Sequence, residues 1–213
     1  MKELETACTY AGIDSSDTES VALMSSILDS LPERYPVRSV WKQVPLDWSG
    51  SVPVLGGTEL PGTMAASFLA GASSVVLMAV TLGAAFDRDV RRLALTDMTQ
   101  SLFLNAAGAA YVDSELDSLQ SAIALELGQS LSDRFSPGYG DLPLSLQKFM
   151  SGQLNLPGRL GIHLLDTMLM VPEKSITALA GVFDSPQPQT IRGCDFCDLY
   201  PCVLVKKGAR CGK

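Results

Sequence analysis

The chain has 213 residues, with 46% hydrophobic and 18% charged residues and a formal net charge of -7. That length allows one domain, or one domain with a small appendage, and ample apolar material for a core. The acidic balance argues against a nucleic-acid module, which would carry a basic face. The most apolar run, Val75 to Leu82, is less than half the length needed to cross a bilayer. The first five residues, Met1-Lys2-Glu3-Leu4-Glu5, lack the apolar core of a signal peptide. A cytoplasmic location is therefore expected, with neither membrane nor nucleic acid as partner. There, clustered cysteines hold metals or do redox work more often than they form structural disulfides.

Taken in chain order, Val21, Leu23, Met24, Ile27, Leu28 and Leu31 recur at helical spacing, and Pro32 is expected to end that helix. Alternation in Val37 to Val44 and near Ser51 to Leu55 predicts strands, separated by Pro and Gly turns. Met64 to Ala70 predicts a helix closed by Gly71. Val75 to Leu82 reads as a buried strand, being short, continuous and partly β-branched. After Gly83, Ala84 to Leu95 predicts a helix whose polar face carries Asp87, Arg88, Arg91 and Arg92. A long helix is expected from about Asp97 to Leu131, with Leu116, Leu119, Ile123 and Leu127 on one stripe. Arg134 to Leu142 is a loop, Ser145 to Met150 a short helix and Asn155 to Arg159 a turn. Gly161 to Met170 is open between strand and helix, and Ile176 to Val182 is a strand. These elements come in blocks rather than in strict alternation. They predict an α+β fold, a mostly antiparallel twisted sheet with flanking helices.

Pro186 and Pro188 mark a linker. From Arg192 onward there are five basic and two acidic residues, a net +3 that leaves -10 for the body. This shift divides a domain over residues 1–185 from a linker and Cys-rich tail over 186–213. In the tail, Cys194-x2-Cys197-x4-Cys202-x8-Cys211 can close a tetrahedral zinc site or hold an iron–sulfur cluster. The alternative is free thiols or labile disulfides on a chain end. Cys8 stands alone and reads as structural. His163, the single histidine, sits in an apolar run and reads as a packed core or interface residue. No Ser-His-Asp set, phosphate loop or dinucleotide fingerprint occurs.

One loop offers ligand chemistry: Arg134-Phe135-Ser136-Pro137-Gly138-Tyr139-Gly140-Asp141. An Arg can grip a carboxylate with two parallel hydrogen bonds. Pro-Gly allows close backbone approach, and a Tyr ring can stack on a heterocycle. From spacing alone the same letters also describe an ordinary surface loop.

The segment resembles the Arg-x-x-Pro-Gly-Tyr signature of the activation (reactivation) domain of cobalamin-dependent methionine synthase. Three further stretches agree in order: Val80 to Gly83, Ala106 to Asp113 with Asp117, and Met170 to Gly181. Together the resemblance spans about residues 75–182. It implies S-adenosylmethionine binding by Arg134, the backbone at Ser136 and Gly138, and Tyr139, with Ser175 from the later segment. Asp113 or Asp117 would replace an acidic helix residue that the family places near Ser121; a plain solvated helix face is the other reading. The chain departs from the family at Val171-Pro172-Glu173-Lys174-Ser175, where the full-length enzyme has Trp-Pro-Gly-Ala-Ser.

The resemblance further implies reductive methylation of a cobalamin carried by a partner corrinoid methyltransferase subunit. A flavodoxin- or ferredoxin-like protein would supply the electron. The chain itself has no Asp-x-His-x-x-Gly motif to ligate cobalamin. Two other readings stay open: a non-catalytic S-adenosylmethionine sensor of the same fold, and an electron-transfer reactivator working through a cluster in the tail.

Overall fold

Eight consecutive residues, Ser74 to Thr81, are buried on both faces of the sheet and form its strand β4. In this computed structural model, residues 2–186 are described. The helices are α1 (Lys2–Ala11), α2 (Thr18–Arg34), α3 (Thr63–Leu69), α4 (Ala84–Leu93), α5 (Met98–Leu127), α6 (Gln147–Leu154) and α7 (Leu156–Leu160). The other strands are β1 (Arg38–Ser49), β2 (Val52–Leu55), β3 (Thr58–Glu59), β5 (Ser130–Leu131), β6 (His163–Leu164), β7 (Met170–Val171) and β8 (Ser175–Phe183). Six strands join in the order β3-β2-β1-β4-β8-β5, and β6 pairs with β7 separately. The β1–β2, β2–β3, β5–β8 and β6–β7 pairs are all antiparallel. The predicted α+β class with a mostly antiparallel sheet is the one observed. Among the described residues, no helix is long and apolar enough to cross a membrane.

The chain divides into two compact units. The first comprises Met1–Val40, Ala79–Leu119 and Leu156–Ile176. Its helix α2 is capped by Asp17, whose carboxylate accepts from the Ser20 N–H at 3.1 Å. Burial of Met24, Leu31, Tyr35, Phe86, Ala107 and Leu116 supplies its core, with Phe86 meeting Tyr35 edge-on at 5.0 Å.

The second unit comprises Trp41–Met78, Gln120–Asn155 and the chain from Thr177. Here Leu46↔Leu55 opens the β1–β2 ladder, so Pro45, which has no N–H to offer, lies just outside it. Helix α5 ends on Gly128 at φ +63°. The Gly128 N–H bonds the Leu125 carbonyl and the Gln129 N–H bonds the Ala124 carbonyl, both at 3.3 Å, which is a Schellman closure. That stop precedes the expected one at Leu131 and frees Ser130 and Leu131 to pair with β8.

Several expectations are corrected. Helix α2 passes through Pro32 to Arg34, because a proline φ is helical and Pro32 is exposed, where a lost N–H costs least. The flanking buried residues Leu31 and Tyr35 hold the turn, closed by Tyr35 N–H to Leu31 O at 2.7 Å. Of the turn expected over Asn155 to Arg159, residues 156–159 are helical, within α7; Leu156 and Leu160 bury an i, i+4 pair, and Asn155 takes the left-handed conformation that separates α6 from α7. His163 is exposed rather than packed. Ile162 takes the inward position, and alternation turns its neighbour outward. Asp87, expected on the solvent face of α4, is buried.

Candidate functional site

The Arg134 loop is built on an irregularity in the sheet. Ser130 pairs with Phe183 and Leu131 with Val182, and Ser132 continues the ladder by donating its N–H to Gly181 O at 2.9 Å. The next pair is Phe135 with Leu179, bonded in both directions at 3.0 and 2.9 Å. Three steps along one strand thus match two along β8, so one residue is inserted between Ser132 and Phe135. This is a β-bulge, a device that re-aims side chains and is common beside binding sites. Arg134 lies within it, half-buried.

Further bonds hold the bulge in place. The Ser132 hydroxyl accepts from the Gly181 N–H at 2.9 Å and donates to the Asp133 carbonyl at 2.9 Å. From α5, Gln120 Nε2 donates to the Ser132 carbonyl at 2.9 Å, and Gln120 Oε1 accepts from Arg134 Nη1 at 3.5 Å. Phe135 turns into the core and packs against Phe68 of α3, ring centroids 4.8 Å apart and planes tilted by 39°.

Beyond the bulge, Ser136 to Tyr139 form a tight turn closed by Tyr139 N–H to Ser136 O at 3.1 Å. Pro137 sits at the second position and Gly138, at φ +90°, at the third, the arrangement of a type II turn. The Gly138 N–H donates to the Leu142 carbonyl at 2.9 Å. The Ser136 carbonyl and the Gly138 amide therefore hold the loop's own shape. Tyr139 is 52% exposed at the loop's tip.

Asp141 ties the loop to α3. That helix starts after Gly62, which has no side chain to cap it. Asp141 supplies the missing cap from across the fold: Oδ2 accepts from the Thr63 N–H at 2.6 Å and the Thr63 hydroxyl at 2.9 Å, and Oδ1 from the Met64 N–H at 3.2 Å. These donors, the Thr63 backbone foremost, hold the Asp141 carboxyl below the usual aspartate pKa. Sequence reasoning passed over both Asp141 and Gln120. The uncapped Gly62-Thr63 start was the signal for the first; nothing local marks the second.

The remaining site candidates belong to the first unit. Asp113 is half-buried and Asp117 exposed on α5. Ser175 is buried, 2.8 Å from Thr81 Oγ1 and 2.7 Å from the Pro172 carbonyl. A carbonyl can only accept, so the Ser175 proton goes to Pro172 and the Thr81 hydroxyl donates to Ser175. Thr81 Oγ1 in turn accepts from the Gly83 N–H at 3.0 Å. The Ser175 side chain thus locks the ends of β4 and β8.

The departure from the family pattern at Glu173-Lys174 has its own fittings. Asp87 Oδ2 accepts from the Glu173 N–H at 2.7 Å, which explains the burial of Asp87, and Arg91, one turn later, pairs with the Glu173 carboxylate at 2.8 Å. Burial lowers the pKa of Lys174, against the pull of Glu173 and Asp87. Among the described residues, no group of three or more His, Cys, Asp or Glu could hold a metal ion. Cys194, Cys197, Cys202 and Cys211 lie outside the described residues.

Compared with solved structures, the chain matches the crystal structure of the MetH reactivation domain bound to AdoHcy, with a TM-score of 0.64 over 87% of this chain and 72% of that one. The chain shares its fold with the MetH reactivation domain. Sequence identity is 14%, so the likeness is one of fold. No family model and no curated protein matches the sequence. The MetH likeness nonetheless agrees with the family that the Arg-x-x-Pro-Gly-Tyr loop resembles.

Proposed function

We propose that this chain binds S-adenosylmethionine through the Arg134 loop and serves a cobalamin carried by a partner, as an accessory subunit of a methionine synthase-type methyltransferase. The observation that carries the reading is the bulge. It sets a half-buried guanidinium beside a Pro-Gly turn with an exposed tyrosine. That set fits a ligand with a carboxylate at one end and an aromatic heterocycle at the other. Support comes also from the fold likeness to a domain bound to AdoHcy.

In this reading Arg134 grips the carboxylate, and the backbone at Ser136 and Gly138 shapes the bed. Tyr139 covers the heterocycle. Ser175 keeps its own contacts with Thr81 and Pro172 in the first unit. When bound, S-adenosylmethionine supplies a methyl group for the partner's corrinoid; the protein contributes position and electrostatics. A flavodoxin- or ferredoxin-like donor completes the proposal, as does a zinc ion or iron–sulfur cluster on the four tail cysteines.

Calorimetric titration with S-adenosylmethionine and AdoHcy is the test. Arg134→Ala should weaken both by roughly 2–4 kcal/mol, since a carboxylate in the site loses its charged partner. Unchanged affinity in a folded variant would remove the loop from the site. Methyl transfer to reduced cobalamin separates the methyl-donating reading from a sensor that only binds.

A further inference from the structure

We infer that Gln120 is a positioning residue of the ligand site, setting the Arg134 guanidinium and the bulge beneath it with one side chain. The inference rests on the reading of the Arg134 loop as the carboxylate grip. Gln120 stands on α5, whose end in this unit is closed by the Schellman turn at Gly128. Its amide reaches the bulge with both ends. Nε2 donates to the Ser132 carbonyl at 2.9 Å, and Oε1 accepts from Arg134 Nη1 at 3.5 Å. The first bond pins the residue at which the ladder goes out of step. The second orients the guanidinium that leaves it.

The chemistry of the amide suits this task. A carboxylate at the same position would form a strong ion pair with Arg134 and compete with a ligand carboxylate for the same N–H donors. A neutral oxygen at 3.5 Å gives direction without that competition. The bond restricts the rotamers of the arginine before the ligand arrives, which lowers the ordering cost of binding. An apolar side chain of equal length would fill the space and supply neither bond.

Two probes distinguish positioning from general support: AdoHcy, which has the amino-acid carboxylate, and 5′-methylthioadenosine, which lacks it. In the full chain, Gln120→Met should weaken AdoHcy about tenfold, the scale of one hydrogen bond to a charged group, and leave methylthioadenosine within about twofold. Gln120→Glu, of the same size, should also weaken AdoHcy selectively at neutral pH, because its carboxylate takes up the guanidinium. It serves as the test should Gln120→Met fail to fold. Equal losses for both probes would make Gln120 merely structural, and an unchanged AdoHcy affinity would overturn the inference. Arg134→Ala runs alongside. If that variant keeps full AdoHcy affinity, the loop reading itself falls, whereas a selective AdoHcy loss in Arg134→Ala but not in the Gln120 variants rejects Gln120 alone.

Discussion

Gly108 of α5 lies directly against the ring of Phe86, so closely that a Cβ on Gly108 would overlap the ring edge. Phe86 is fully buried and held on another side by Tyr35. Gly108→Ala would add about 1 kcal/mol of helix propensity. Overpacking a rigid core typically costs about 1–3 kcal/mol, and with the ring unable to retreat the overlap should win. A net loss of stability is expected in denaturant melts, with partial recovery in Gly108→Ala/Phe86→Leu.

Tyr35 gives a signature at high pH. Burial and its hydrogen bond to Asp89, 2.6 Å long, push the phenol up to about 12. The folded state thus keeps the proton that the unfolded chain releases at about pH 10. The stability it contributes is complete below pH 10 and is lost as pH rises from about 10 to about 12. Absorbance titration should find a late-ionising tyrosine that disappears in Tyr35→Phe. The same variant should lose about 1 kcal/mol at neutral pH.

Asp141 gives the opposite pH dependence. Its depressed pKa means that its contribution is present above the ordinary aspartate range and fades as pH falls through the lowered value. Asp141→Ala should cost on the order of 1 kcal/mol at pH 7, toward the low end for so exposed a cap. Melts at pH 7 and at about pH 3 should show the gap between wild type and variant narrowing in acid. A gap independent of pH would mean that the carboxylate charge is not what caps α3.

For the tail, the expectation is one zinc ion or one iron–sulfur cluster bound by Cys194, Cys197, Cys202 and Cys211. Metal analysis and an absorption spectrum of anaerobically prepared protein should show it. Removing the metal with a chelator should open the chain to proteolysis near residues 186–190 while the body stays intact. Absence of both zinc and iron, with four freely titrating thiols, would reject the site.

How much of this was legible in the sequence depended on where the determining contacts lie. Strand β4 and helix α4 announce themselves through local pattern, an unbroken apolar run and a stripe beside basic residues. Helix α1 was missed because, of its described side chains, only Ala7 is buried, which leaves almost no periodic signal. Asp87 looked like one more charge on a polar face, since its partner, the Glu173 N–H, is 86 residues away. The Arg134 loop was readable as letters. Its foundation was not, because Gly181, Leu179 and Gln120 come from other parts of the chain.

The inserted residue before Phe135 also decides which side chain faces the core. Directly opposed residues on paired strands share a face, so Phe135 lies on the same side as Leu179, and both are buried. A regular ladder here could be had in only two ways: by losing one residue between Ser132 and Phe135, or by sliding the segment after Ser132 by one. If a residue is lost, Phe135 keeps its place opposite Leu179 and the arginine becomes an ordinary strand residue without the bulge. If the segment slides instead, Arg134 comes opposite Leu179 and a cation enters the core in place of the phenyl ring. An alignment that treated this position as a dispensable gap could preserve every letter of Arg-x-x-Pro-Gly-Tyr in a relative and yet describe a protein without the bulge. Spelling alone is therefore a poor guide to which relatives share the site; counting residues back to the strand is a better one.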